Sequence, residues 1–253
     1  MTKVLLITGG SRGIGAATAR LAAHDGWAVA INYREAKDQA ETLAAAIERD
    51  GGRAIAIQAD VAAQDQVEAM FRAVDGFGPL AALVNSAGIS LVAPTAELEQ
   101  RALERLLAIN VIGTMLCCRE AVRRMSSRFG GQGGAIVNVS SMAATIGGRP
   151  GRTAYAASKG AVDSFTRGLA KEVAREGIRV NALRPGMTMT DMTDAVRRDP
   201  ELYARTAQTI AMNRCAEPEE MARPILWLLS DQASFISGAL LDGSGGGFTV
   251  GQV

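Results

Sequence analysis

Tyr155 and Lys159 stand four residues apart in Tyr155-Ala156-Ala157-Ser158-Lys159, and Ser141 lies fourteen residues before the tyrosine. On a helix this spacing puts tyrosine and lysine on one face, about one turn apart. A phenol normally titrates near ~10, too high for easy proton exchange at neutral pH. An ammonium beside it favours the phenolate, so the pair predicts a lowered tyrosine pKa. The three residues read as a tuned acid/base, with a serine hydroxyl to hold a carbonyl oxygen against it. Other chemistries find no support. The single histidine, His24, falls at the end of a helical stretch and reads as a surface or capping residue. That leaves nothing for Ser-His-Asp hydrolysis or a His-rich metal centre. Cys117, Cys118 and Cys215 are odd in number and lack CxxC spacing. They read as reduced structural thiols, neither a metal site nor a disulfide framework.

A second constellation lies at the N-terminus. Val4-Leu5-Leu6-Ile7 is a short apolar run that reads as a buried strand, and an alanine-rich helical pattern runs from Ile14 to about His24. Between them lies Thr8-Gly9-Gly10-Ser11-Arg12-Gly13-Ile14-Gly15. Strand, glycine turn and helix in this order make a phosphate-binding loop. Glycines let the backbone approach a pyrophosphate, and the helix N-terminus offers free N–H groups and a positive dipole end. Gly9, Ser11, Arg12, Gly13, Ile14 and Gly15 are therefore candidate dinucleotide contacts.

The type of dinucleotide follows from the next strand, Trp27–Asn32. NAD sites usually place an acidic residue just after it, to hold the ribose 2′-hydroxyl. Here the position holds Tyr33, then Arg34, with Arg12 in the glycine loop itself. Two guanidinium groups suit a 2′-phosphate, which predicts preference for NADP(H). Glu35 keeps NAD(H) open, since a shift of one register would bring its carboxylate to the ribose.

Further strand patterns lie at Ala54–Ile57, Ala82–Asn85, Ala135–Ser140, Ile178–Leu183 and Ala239–Leu241. Helical patterns lie at Lys37–Asp50, Gln64–Asp75, Leu98–Ser127, Tyr155–Glu176 and Glu217–Ser230. Strict alternation predicts an α/β fold: one Rossmann-like, doubly wound domain over residues 1–253, about seven parallel strands with helices on both faces. Ligands of such sheets bind beyond the carboxyl ends of the strands. The glycine loop, Asp60, Asn85–Gly88, Ser141 and Pro185-Gly186 all fall there. Two glycine-rich stretches, Phe129–Gly134 and Asp242–Gly247, read as connections, the first of them flexible.

Taken in order, these motifs resemble the short-chain dehydrogenases/reductases over nearly the whole chain. Gly9-x3-Gly13-x-Gly15 is similar to their TGxxxGxG turn, and Asp60-Val61 to the adenine contact after the third strand. Asn85-Ser86-Ala87-Gly88 is similar to NNAG and Asn110 to the asparagine of the central helix. Ser141, Tyr155 and Lys159 match the Ser and YxxxK set, and Pro185-Gly186 with Thr190 the loop that meets the nicotinamide. The resemblance implies that Tyr155 exchanges the proton, Ser141 orients the substrate oxygen, and Lys159 lowers the tyrosine pKa and binds the nicotinamide ribose. It implies that Asn110 holds a water linking Lys159 to solvent. Asn85, Ala87, Gly88 and Thr188 join the cofactor contacts. The sequence departs from the pattern at Ser86, in place of a second Asn, and at Thr188, where Ile is common. Gly147–Arg152 is a slightly lengthened, mobile wall before Tyr155.

The expected substrate is a small carbonyl or alcohol compound. Alternatives are a 3-oxoacyl-[acyl-carrier-protein] reductase, a glucose or other sugar dehydrogenase, or a catalytically silent NADP-binding sensor. Acyl-carrier reductases dock their acidic carrier on basic residues before the fifth and sixth strands. Here those positions hold Ala135 and Glu176, with Arg175 one step away, and a glutamate would repel the carrier. Residues 187–213 read as a substrate lid. Its methionines, Met187, Met189, Met192 and Met212, could line a pliable pocket, and Arg197-Arg198 read as solvated. The 253 residues carry net charge +1 and a pI near 7.7, so nucleic acid is not an expected partner. No apolar run reaches the ~18 residues of a membrane span. The start Met1-Thr2-Lys3 leaves no room for a signal peptide, and a cytoplasmic protein is expected. The resemblance further implies a homotetramer, or a dimer, through the long helices bearing Asn110 and Tyr155 and the C-terminal strand, with Phe248-Thr249-Val250 buried at the interface.

Overall fold

Strands β1 (Val4–Thr8) and β2 (Ala28–Tyr33) are buried at every position. Continuous burial marks parallel strands covered on both faces. β4 (Leu80–Asn85), β5 (Gly134–Val139) and β6 (Ile178–Pro185) are nearly as enclosed. The edges β3 (Arg53–Gln58) and β7 (Leu240–Gly243) are more open. All seven strands run parallel in the order β3-β2-β1-β4-β5-β6-β7. The winding reverses between β1 and β4, which opens a crevice at their carboxyl ends. This computed structural model describes residues 2–247, so Phe248-Thr249-Val250 lie outside the described residues.

Successive side chains of a strand point to opposite faces, and β1 feeds two cores. Leu5 and Ile7 pack beneath α1 (Gly13–His24), α2 (Lys37–Arg49) and α10 (Pro218–Leu229), against Ala19, Ile47 and Leu228. Val4 and Leu6 pack on the other face, beneath α3 (Gln64–Phe77), α5 (Thr114–Met125) and α7 (Thr153–Val173), against Phe71, Cys117 and Val173. The three cysteines are free and buried. Shorter helices complete the described chain: α4 (Gln100–Leu107), α6 (Ala143–Ile146), α8 (Asp194–Arg198) and α9 (Pro200–Gln208). No helix among the described residues is long and apolar enough to cross a membrane.

Three details differ from the sequence reading. The stretch Leu98–Ser127 is not one helix: a π-helical segment, Ala108–Gly113, separates α4 from α5. The cause is close packing at its end. A Cβ on Gly113 would come within 2.9 Å of Val61, and the Thr114 hydroxyl takes the Asn110 carbonyl at 3.0 Å. Glycines 131–134 are no flexible linker. Gly131 and Gly133 donate to the end of α5 at Ser126 and Met125, and a Cβ on Gly133 would sit 2.5 Å from the Gly177 carbonyl. Arg197 and Arg198 are exposed, as expected, and both ion-pair with Asp194. Within the 187–213 segment, Met192 and Met212 are exposed rather than packed.

Candidate active site

The glycine turn is shaped for close approach. Gly9 takes φ +61° and Gly13 φ +54°, in the left-handed region that favours glycine. A Cβ on Gly15 would lie 2.4 Å from the Gly9 carbonyl, and one on Gly9 would lie 2.8 Å from the Ala87 Cα. Arg12 begins α1 in extended conformation, with no side-chain cap and no acidic residue in the first turn. The free N–H groups and positive dipole end are therefore left for an anion. This cradle fits a dinucleotide pyrophosphate. Ala87 donates to the Thr8 hydroxyl at 3.2 Å, which ties the β4 loop to the turn. On the far side, Thr190 stands over Gly13, 3.2 Å from where a Cβ would be. Pro185 closes β6, and Gly186 donates to Gly243 at 2.8 Å. Thr188 is buried and its hydroxyl donates to the Gly186 carbonyl at 3.2 Å.

At the adenosine end β2 runs through Tyr33, which pairs with Gln58 and is buried. Arg34 is thus the first residue beyond the strand, and Glu35 beside it is its ion-pair partner. Arg12 reaches Asp191 at 3.5 Å, both side chains more than half exposed. Exposed pairs of this kind hold by little, about 0–1 kcal/mol, so either guanidinium can turn to a phosphate. Asp60 accepts from Arg105 at 2.7 Å and from the Ala62 amide at 3.0 Å. Burial raises its pKa, but these bonds and the charges of Arg105 and Arg34 outweigh that and hold it low. Sequence reasoning missed Arg105, which lies far along the chain without a motif. Val61 faces Gly113.

The Asn85 side chain faces away from the crevice. Its side chain donates into the core, to Asn138 at 2.9 Å and to the Cys118 sulfur at 3.2 Å. Asn138 donates on to Thr166 at 2.9 Å. The Asn85↔Asn138 register pair between β4 and β5 dictates this. A cofactor could meet only the backbone there.

Ser141, Tyr155, Lys159, Asn110 and Gly88 converge beyond β4 and β5. The Ser141 hydroxyl is close enough to the Tyr155 phenol to favour its ionised form, and it accepts from the Ala143 amide at 3.1 Å. Ser140 is buried and donates to the Lys159 carbonyl at 3.2 Å, so it is the inward of the two serines. Lys159 is buried; its ammonium donates to the Val139 carbonyl at 2.8 Å and lies 6.0 Å from the Tyr155 ring centre. The expected lowering of the phenol pKa does not hold in this cofactor-free site. Burial raises it, and the opposing influences are the Ser141 hydroxyl and the charge of Arg152, not the lysine. Lys159 itself is lowered by burial to about 8, with the Asp163 carboxylate one turn on resisting the drop. Arg152 escaped the sequence reading, although three residues before Tyr155 is one helical turn, a spacing that signals proximity.

A Cβ on Gly88 would meet Asn110 Oδ1 at 3.4 Å and the Lys159 ammonium at 3.5 Å. Gly88 therefore faces both groups at ordinary contact distance. Asn110 donates to the Ile89 carbonyl at 2.9 Å and to the Ser158 hydroxyl at 3.0 Å, and accepts from the Ile89 amide at 2.9 Å. Ser158 was also missed, since its helix position carried no signal of its own.

Comparison with known proteins agrees with this geometry. Residues 9–248 match a family model described as Enoyl-(Acyl carrier protein) reductase. The uncharacterized oxidoreductase YgfF of Escherichia coli (strain K12) is 49% identical over 96% of this chain and 99% of its own. The 3beta-hydroxysteroid dehydrogenase 1 of Eggerthella lenta is 38% identical over 99% and 97%. The crystal structure of a dehydrogenase/reductase from Sinorhizobium meliloti 1021 superposes with a TM-score of 0.90 at 37% identity, covering 97% of this chain and 95% of that one. The chain belongs to the short-chain dehydrogenase/reductase family, oxidoreductases that act on alcohol or ketone groups with NAD(P)(H).

Proposed function

We propose that this enzyme transfers hydride between NADP(H) and a carbonyl or secondary-alcohol substrate, with Ser141, Tyr155 and Lys159 as its catalytic set. The observation that carries the reading is the buried Lys159 one turn along α7 from Tyr155, its ammonium 6.0 Å from the phenol ring centre, with Ser141 beside the phenol. When bound, the nicotinamide supplies or accepts the hydride. Tyr155 gives its proton to the carbonyl oxygen in reduction and takes it from the alcohol in oxidation. Ser141 holds that oxygen. Lys159 binds the nicotinamide ribose, and its charge favours the phenolate that reduction leaves behind. Asn110 Oδ1 has one lone pair beyond its bond from Ile89. That lone pair holds the water through which Lys159 exchanges its proton with solvent.

The residues that would hold the cofactor are Gly9, Ser11, Arg12, Gly13, Ile14 and Gly15 at the pyrophosphate, Asp60 and Val61 at the adenine, and Ala87 and Gly88 along the ribose. Lys159, Pro185, Gly186, Thr188 and Thr190 would hold the nicotinamide half. Preference for NADP(H) rests on Arg34 as the first residue past β2, with Arg12 across the crevice. The acyl-carrier reading is weaker than the sequence position suggested. Ala135 lies inside β5 and is buried, so the position cannot present a charge, and the Glu176 carboxylate accepts from the Ser126 hydroxyl at 2.5 Å. We further propose a cytoplasmic homotetramer joined along α5 and α7. The exposed Leu107, Ile112 and Met115 favour it.

Initial rates with NADPH and NADH over a panel of ketones and hydroxy compounds test the proposal. Wild type turns over with NADPH preferred. Tyr155→Phe loses about 10²- to 10⁴-fold in kcat while binding NADPH normally. Loss of NADPH affinity in that variant, or retained turnover, refutes the role of the tyrosine.

A further inference from the structure

The mouth of the site carries a positive charge that the hydride-transfer chemistry does not use. Arg152 is half-buried just before the first turn of α7, one turn ahead of Tyr155. Its guanidinium donates to the Ser90 hydroxyl, on the loop after β4. It makes no ion pair with a carboxylate among the described residues. The two walls are fixed to each other there, since the Ala93 amide donates to the Gly151 carbonyl at 2.8 Å. The turn that presents Arg152 is closed by its own amide, which donates to the Arg149 carbonyl at 2.9 Å. A second guanidinium on the same turn, Arg149, donates to Thr209 at the C-terminal end of α9 at 3.3 Å. Half-burying a guanidinium against neutral partners has a desolvation cost, and natural sites recover it when an anion arrives. Its charge is felt at the Tyr155 phenol, one helical turn along the chain.

Resting on the proposed hydride transfer at Tyr155, we infer that the substrate is an oxo acid or hydroxy acid: a small carbonyl or alcohol compound bearing an anionic group, carboxylate or phosphate, which Arg152 receives. Arg152 is a specificity residue here. Ser90 orients its fork, and Arg149 adds positive potential at the mouth. Sterol-like or simple neutral ketones lack the group that this charge requires.

Matched probes test it: short α- and β-oxo acids, the same skeletons as phosphate esters, and their methyl esters. Binding to the NADPH-loaded enzyme is measured by calorimetry, and turnover by NADPH oxidation. At least one anionic member should bind about tenfold or more tighter than its neutral ester. That preference should collapse toward parity in Arg152→Gln and survive in Arg167→Gln, an arginine elsewhere on α7. The carboxylate and phosphate arms tell which anion fits. Equal binding of acid and ester, binding of neither, or a preference that survives Arg152→Gln overturns the inference. A folded Arg152→Gln enzyme that weakens acid and ester alike also overturns it, because the arginine then only braces the wall. Anion-selective binding without hydride transfer to any probe would instead sink the oxidoreductase proposal and leave the anion site standing.

Discussion

Lys159 is the residue on which the local energetics turn. It is buried with one hydrogen bond, to the Val139 carbonyl, and one helpful charge, Asp163, which is itself shared with Arg184 at 2.8 Å. One Asp163 carboxylate oxygen is buried without a partner. The folded protein therefore releases the lysine proton at about 8, against 10.5 for the ordinary group. Between those values the unfolded chain holds more protons, so the stability of the cofactor-free enzyme should rise with pH across this window. Below about 8 the cost of the buried charge is present in full. Lys159→Met should remove it and raise stability at pH 7 by about 3 kcal/mol, while activity disappears. Chemical denaturation of both proteins at pH 7 and pH 10 checks this. A mutant less stable than wild type at pH 7 would show that the ammonium contributes more through its bond than burial costs it. An unfavourable buried charge of this kind is expected where function requires it.

At the level of elements, the site is assembled by contacts between loops that leave little room for a side chain: Gly9 meets Ala87 and Gly13 meets Thr190. Gly9→Ala combines a positive φ with a Cβ 2.8 Å from backbone. It should cost about 1–3 kcal/mol of stability and shift NADPH affinity by a larger factor than the stability change alone explains, read by fluorescence titration. Full affinity in Gly9→Ala would mean that the turn is not the pyrophosphate site. Arg34→Ala should lower kcat/KM for NADPH by about tenfold or more with little change for NADH. An equal loss with both cofactors would remove Arg34 as the discriminating residue. The alternation of strand and helix was legible because each element has a distinct apolar period. The π segment around Asn110 was not, because Ala108–Gly113 keeps a helical pattern. Its extra residue comes from packing of Gly113 on Val61, a contact between segments about fifty positions apart.

For the whole molecule, the informative surface lies along α4, the π segment and α5. Leu107, Ile112 and Met115 expose apolar area together there, on the elements that carry Asn110. Trp227, Phe235 and Leu241 are also exposed. Scattered apolar residues need no explanation, but grouped ones mark interfaces. Ile112→Lys with Met115→Glu should convert a tetramer to dimers or monomers in sedimentation, with Tm falling as protein concentration is lowered. A monomeric wild type, or an unchanged assembly in the variant, would contradict the tetramer.

The sequence alone determined the class of this enzyme. Short continuous apolar runs alternating with helical periods specify a parallel sheet wherever they fall, and a glycine turn between them needs no distant partner to be recognised. Tyr155 and Lys159 were legible because four residues on one helix fix their relation locally. Tertiary structure decided what those groups experience. Which way Asn85 turns is set by its register with Asn138. The phenol's pKa is set by burial, Ser141 and Arg152 rather than by the lysine one turn away. Arg152 and Ser90 lie sixty-two positions apart and meet only because loops after β4 and before α7 close on one another. Charge environment depends on everything within several ångströms, and sequence spacing reports only the neighbours within one turn.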